Sequence, residues 1–315
     1  MSLGLLFLGL FVAVLIAGQN SFRHSLIAAN HRAIVEASNL NVRNFQANTS
    51  QSLTQIFETE GYVWPPSSGQ TIPPLILERL PADLALMKDH RKRQDLFLRV
   101  LLPIVLIENR RLREQRNLAK LLLEVEPPVP GSDTHKWLKN LAKKFRVHGD
   151  LTKPRVAARL LSRLDEIPPA LALAQSAIET SWGTSRFALK GNSLFGQWTF
   201  KRSKGLKPTD RNLDAAHYVA SFPTLRDSVR AYMRNLNIGH AYKEFRQERA
   251  RLRADGDSLQ AEELAVYLFR YSQRGEHYVV DLQRMIKSRH IAFLTNTNFD
   301  SEEPRLFMAA LASSH

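Results

Sequence analysis

Proline divides this chain into lengths that suit helices. Pro127, Pro128, Pro130 and Gly131 interrupt it, Pro154 starts a new segment, and the pair Pro168-Pro169 starts another. Proline is at home in the first helical turn, where its missing N–H would have had no partner. In a helix interior it deletes a hydrogen bond and clashes with the preceding turn. The breaks therefore predict a helix capped by Ser132 or Asp133 and running through Trp137, Leu141 and Phe145, one from Pro154 to about Leu164, and one opening at Pro168-Pro169. Upstream, Leu84, Met87, Phe97, Leu101, Val105, Leu112 and Leu118 recur at multiples of three or four between Ala82 and Val125. Pro103 should end or kink that helix near Leu102, giving a helical pair with a solvated charged face. Downstream, a strand-like pair, Leu194 to Phe200 and Tyr218 to Phe222, flanks a basic loop punctuated by Gly and Pro. Helices are predicted over Leu225 to Leu236, Ser258 to Tyr271 and Tyr278 to Ser288. The expected fold is mainly α with one small β-hairpin, preceded by a helical N-terminal region.

The beginning of the chain has a different character. Its first 22 residues carry no charged side chain, and Ser2 to Gly18 is almost purely apolar. Such a run is a signal-peptide core or a short membrane anchor, with a buried hydrophobic helix as the plainer alternative. No Lys or Arg precedes it while Arg23 and Arg32 follow, which opposes the usual orientation of an exported bulk. Residues 19 to 60, rich in Asn, Gln and Ser, read as a tether or a loosely packed helix. The prolines from Pro65 to Pro81 predict extended chain.

Charge bears on partners. The net charge is +14, and 15 Lys/Arg face 4 Asp/Glu between Thr134 and Pro208. A basic surface attracts polyanions: nucleic acid, anionic lipid or carboxylate-rich wall polymers. No helix-turn-helix, ribonucleoprotein or zinc-finger pattern accompanies the charge, so nucleic acid is not expected. There is no cysteine, which removes thiolate nucleophiles, disulfides and cysteine-bound zinc. No His-Glu-x-x-His, phosphate loop, Gly-x-Ser-x-Gly elbow or dinucleotide fingerprint occurs either. No cofactor is expected, and His240 and His277 read as packing or surface residues.

The informative stretch is Ala170 to Gly196, ALALAQSAIETSWGTSRFALKGNSLFG. Leu171, Ala174, Gln175, Ile178 and Trp182 share a helical face, and Glu179 follows Gln175 by four residues. Gly183 stands where a C-terminal cap would sit, so Glu179 falls in the last turn, with Trp182, Phe187 and Phe195 expected around it. The negative helix end and apolar burial both raise the pKa of a carboxyl. A carboxylic acid held protonated near neutral pH is what glycoside cleavage needs at the leaving oxygen. The plainer alternative is a surface glutamate satisfied by a nearby cation.

These residues resemble the glucosaminidase family (glycoside hydrolase family 73), and within it the Bax-type branch. In that family a helix ending in Glu-Thr-Gly-Trp-Gly-like residues is followed by Asn-Asn-Leu-Phe-Gly. Here the match reads Glu179-Thr180-Ser181-Trp182-Gly183 and Asn192-Ser193-Leu194-Phe195-Gly196. Phe222, Asp227-Ser228-Val229, Ala231-Tyr232, Asn235-Leu236-Asn237, Ala241-Tyr242, Tyr271-Ser272-Gln273-Arg274-Gly275 and Tyr278 look like the later blocks. The likeness covers about 60 to 292. It implies a lysozyme-like fold with Glu179 as the acid. By the same resemblance Tyr232 joins the catalytic set, and Trp182, Asn192, Phe195, Tyr242, Tyr271 and Tyr278 form the substrate-binding set. Core packing is the alternative for Trp182 and Phe195. The implied organisation is 1–18 signal peptide or anchor, 19–81 tether and Pro-rich segment, 82–130 helical region, 131–292 catalytic domain and 293–315 tail.

A second catalytic group is not evident. Where relatives carry an acid on the hairpin, this chain reads His217-Tyr218-Val219. Asp210 and Asp214 in the hairpin loop are substitutes, though Asp in a loop is commonly a turn residue. Participation by the substrate's own acetamido group would leave Glu179 sufficient. The resemblance thus implies a monomeric peptidoglycan hydrolase, exported to the periplasm, cleaving the β-1,4 bond after N-acetylglucosamine. The alternative is a weak or inactive wall-binding protein tethered to the inner membrane through its N-terminus.

Overall fold

A computed structural model describes residues 42–67, 70–124, 129–208, 218–288 and 290–295. The apolar run at 2–18, the loop acids Asp210 and Asp214, and the tail beyond 295 lie outside them. The described elements, in chain order, begin with β1 (Arg43–Phe45), α1 (Ser50–Thr59), β2 (Leu75–Leu77) and α2 (His90–Glu124). Next come α3 (Asp133–Lys144), α4 (Pro154–Arg163), α5 (Pro169–Thr180) and α6 (Arg186–Gly191). After them come β3 (Trp198–Thr199), β4 (Gly205–Leu206), β5 (Tyr218–Ala220), α7 (Leu225–Ile238), α8 (Lys243–Asp255), α9 (Ala261–Ala265) and α10 (Glu276–Ile286). The mainly α, lysozyme-like expectation holds. The expected hairpin is a three-stranded antiparallel sheet in the order β3-β5-β4.

The chain divides into two compact units, one of them including Arg111–Leu164 and the other including Val42–Arg110 and the residues from Asp165 onward. The first contains the end of α2 with α3 and α4. Leu118, Leu122, Leu138, Leu141, Phe145 and Leu160 form its core. Ser132 caps α3 by accepting from the His135 N–H at 3.2 Å, and Arg163 closes the α3–α4 turn by donating to the Arg146 carbonyl at 2.7 Å.

In the second unit two expectations are corrected. Residues 43–59, expected as a tether or a loosely packed helix, are packed rather than loose: β1 pairs in parallel with β2, and α1 carries a capping box of Thr49 and Ser52 and buries Leu53 and Phe57. Of the two outcomes expected at Pro103, an end or a kink, the end does not occur, because α2 runs for 35 residues with Pro103 inside. An interior proline costs about 3 kcal/mol. Its neighbours Val100, Leu101, Leu102, Ile104 and Val105 are all buried, and each such side chain contributes about 1.5–3 kcal/mol. Burial wins.

The segment Asp165–Ile167, which leads into α5, is held by buried polar groups. Asn109 on α2 clamps Ile167 twice, donating to its carbonyl at 2.6 Å and accepting from its N–H at 3.0 Å. Asn237 on α7 donates to the Asp165 carbonyl at 2.9 Å. Arg249 on α8 is wholly buried, donating to Asn237 Oδ1 at 2.6 Å and to the Glu166 carbonyl at 2.8 Å. Arg253 pairs with both Asp165 and Glu166. Truncating Arg249 would leave the Asp165 carboxylate buried with one cation fewer, and breaking such a pair costs about 3–5 kcal/mol. Arg249→Ala is therefore expected to lose that much stability in chemical denaturation at neutral pH. A loss below about 1 kcal/mol, the scale of a surface ion pair, would contradict this account of the segment.

Candidate active site

Helix α5 is buried on every side: each residue from Ala170 to Ala177 is inaccessible. A helix without a polar face belongs inside a protein, and its alanines let α9 and α10 pack close against it. Only at its end does it emerge, and there Glu179 is half-buried.

The turn after Glu179 is tightly specified. The Trp182 N–H bonds the Ala177 carbonyl at 2.9 Å and the Ser181 N–H reaches the Ile178 carbonyl at 3.5 Å, the paired closure of a Schellman motif. Its left-handed residue is Ser181, with φ 50°, and Trp182 follows at φ 62°, so the cap lies two residues before the expected Gly183. Neither residue is glycine, and each such conformation costs about 1–2 kcal/mol. Thr180 steadies the turn, donating to the Ser176 carbonyl at 2.6 Å and accepting from the Gly183 N–H at 2.8 Å. Gly183 is required for another reason: a Cβ there would lie 2.5 Å from the Phe97 ring.

The carboxyl of Glu179 lies over Gly196, where a Cβ would come within 2.9 Å of Oε2. Gly196 adopts φ 59°, and the carbonyl before it, that of Phe195, accepts from the Tyr271 hydroxyl at 2.8 Å. Tyr271 stacks on Tyr278 with ring centres 5.6 Å apart and lies 6.1 Å from Tyr242. Tyr278 hydrogen bonds toward the Glu179 carboxylate, and Arg274 adds an attractive charge; both lower its pKa. Burial is the larger influence and holds the carboxyl above its ordinary range. Burial also raises Tyr242, Tyr271 and Tyr278, with the charge of Glu179 adding to each. Among the described residues no three His, Asp or Glu side chains converge as metal ligands would.

Glu179, Tyr242, Tyr271 and Tyr278 are thus brought together, with the Phe195 carbonyl bound to Tyr271. Tyr232 is wholly buried and stacks on Phe195 at 3.9 Å, so it does not line the open side. Asn192 is also buried, caps α6 in a left-handed conformation, and donates to the carbonyls of Phe222 and Pro223 at 3.0 Å. Its role here is to join two loops. Trp182 meets His290 edge-on at 5.3 Å, and His290 is held by Asp95 at 2.9 Å. The groups that act on Glu179 include tyrosines distant in sequence, beyond the expected surround of Trp182, Phe187 and Phe195. Gln175, Gly196 and Arg274 carried no predicted role. For Gln175 the signal was its spacing, one helical turn before Glu179.

The raised pKa of Glu179 has a consequence for stability. As pH climbs above the ordinary carboxylate value of 4.5, the unfolded chain releases its proton before the folded one. Stability is therefore complete below that value and falls until the folded pKa is passed. Glu179→Gln lacks this loss. Its stability relative to wild type is expected to increase from acid toward neutral pH in denaturant titrations. A difference independent of pH would show that the carboxyl is not shifted.

Residues 155–290 match the glucosaminidase family, described as mannosyl-glycoprotein endo-beta-N-acetylglucosaminidase. The chain is similar to protein bax of Escherichia coli (strain K12), with 31% identity over 189 residues. The alignment spans 59% of this chain and 66% of that relative, just under two thirds of its length. No solved structure matches. The matched region contains α5, the turn after it and the tyrosines around Glu179, and residues 155–290 are similar to the glucosaminidase family.

Proposed function

We propose that this chain hydrolyses the β-1,4 bond after N-acetylglucosamine in peptidoglycan, with Glu179 as the general acid. The observation that carries the reading is a half-buried carboxyl at a helix C-terminus, held above its ordinary pKa by burial. Protonated, it can deliver its proton to the glycosidic oxygen as the C1–O bond breaks. Tyr271, half-buried beside it, offers a flat, amphipathic surface to a sugar, while Tyr242 and Tyr278 are buried. Arg186, Lys190, Lys201, Arg202 and Lys204 are exposed on α6 and the adjoining sheet region, and would hold the anionic wall.

The partner of the acid is open between two routes. Among the described residues, the groups facing Glu179 are tyrosines and Arg274. That favours the substrate's acetamido oxygen as the nucleophile at C1, with water then opening the cyclic intermediate. Asp210 or Asp214 would serve as base if residues 209–217 bring one of them opposite Glu179. Export to the periplasm, with residues 1–18 as signal or inner-membrane anchor, belongs to the same proposal. Among the described residues no helix is long and apolar enough to cross a membrane.

Digestion of purified peptidoglycan by wild type and Glu179→Gln, with mass spectrometry of the products, tests the reaction. Wild type is expected to generate new reducing-end N-acetylglucosamine, and loss of the acid should slow this about 10²–10⁴-fold. Binding to the wall without products from either protein would instead support a tethered wall-binding protein.

A further inference from the structure

Behind Glu179 runs a chain of hydrogen bonds that reaches into the core. Tyr232 on α7 donates its hydroxyl proton to Gln175 Oε1 at 2.7 Å. Gln175 Nε2 donates to the Tyr278 hydroxyl oxygen at 2.9 Å. Tyr278 in turn faces the Glu179 carboxyl, and its hydroxyl pulls the carboxyl's pKa down against the effect of burial. The first three side chains are buried, so water does not readily exchange with these bonds.

The direction of the chain follows from counting donors and acceptors. A tyrosine hydroxyl has one proton, and an amide has a donor end and an acceptor end. Tyr232 lies flat against Phe195, and Gln175 Oε1 is the acceptor recorded for its proton among the described residues. This anchors the oxygen end of the amide toward Tyr232 and presents its N–H to Tyr278. With its oxygen already accepting from Gln175, Tyr278 has its own proton free for Glu179. If the amide were reversed, Tyr278 would donate to Gln175 and the buried Tyr232 proton would lose its acceptor.

We propose that Gln175 and Tyr232 are positioning residues for Glu179, the clamped amide turning the Tyr278 hydroxyl proton toward the carboxylate. Neither touches the reacting atoms. Their effect on catalysis rests on the reading of Glu179 as the acid, whereas the hydrogen-bond chain itself does not. The role is specific: it opposes the upward pull of burial on the Glu179 carboxyl. The titratable and charged groups facing Glu179 from the surrounding elements are Tyr278, Arg274, Tyr271 and Tyr242. Tyr232 is joined to the chain through the amide.

The test is a pH titration of the Glu179 carboxyl by carbon NMR, in the full chain labelled at glutamate carboxyls and without substrate. The signal is assigned by its absence in Glu179→Gln. Tyr232→Phe keeps the ring stack but frees the amide to turn, so the Glu179 midpoint is expected to move upward by about half a pH unit or more. Tyr278→Phe removes the donor directly and should also move it upward. The double variant should move it no further than the larger single change, since one pathway carries both effects. An unchanged midpoint in Tyr232→Phe, or additive shifts in the double variant, would overturn the proposal. Because no turnover is required, a chain that fails to digest peptidoglycan would still report on the relay.

Discussion

Burial of α5 on all of its sides governs the rest of this structure. An ordinary helix turns one stripe inward and keeps a wet face. Here Ala170 to Ala177 have no wet face, so the helix can only sit among others, and its last turn delivers Glu179 to the boundary of the core. The pKa of that carboxyl is raised mainly by this placement, with Tyr278 and Arg274 opposing the shift. A helix so enclosed must be fixed at both ends. At its start, Asn109, Asn237, Arg249 and Arg253 grip the three residues before the prolines. At its end, the Thr180 side chain and the close contact of Gly183 with Phe97 fix the turn.

That turn is also where conformational energy is spent. Ser181 and Trp182 both adopt left-handed backbone in succession, and strain of this kind collects at functional sites when the surroundings over-determine it. Over-determination is visible here: the closing backbone bonds, the threonine bridge and the Trp182–His290–Asp95 contact all act on the same few residues. The result is a carboxyl whose base is rigid and whose oxygens lie over a glycine, with no side chain between them and the Gly196 backbone.

How much of this could be read from the sequence follows from the range of each interaction. The start of α5, its apolar character and the position of Glu179 in its last turn depend on neighbours a few residues away, and all were legible. Tyr242, Tyr271 and Tyr278 could be assigned to the site only through the family resemblance, because they come from 63 to 99 residues downstream and nothing local signals their approach. Helix α8 was missed because Arg246 and Arg249 occupy its buried face beside Phe245 and Leu252, so its apolar stripe is masked by charge. Around Pro103, a local rule gave way to the burial of five neighbours. At Ser181, the preference for glycine in a left-handed cap gave way to the bonds that hold the turn.

The most direct test is a structure of Glu179→Gln with a peptidoglycan tetrasaccharide bound. The account predicts a glycosidic oxygen about 2.6–3.2 Å from the side chain at position 179, with a sugar ring against Tyr271. A glycan bound only along the basic sheet, away from position 179, would contradict it.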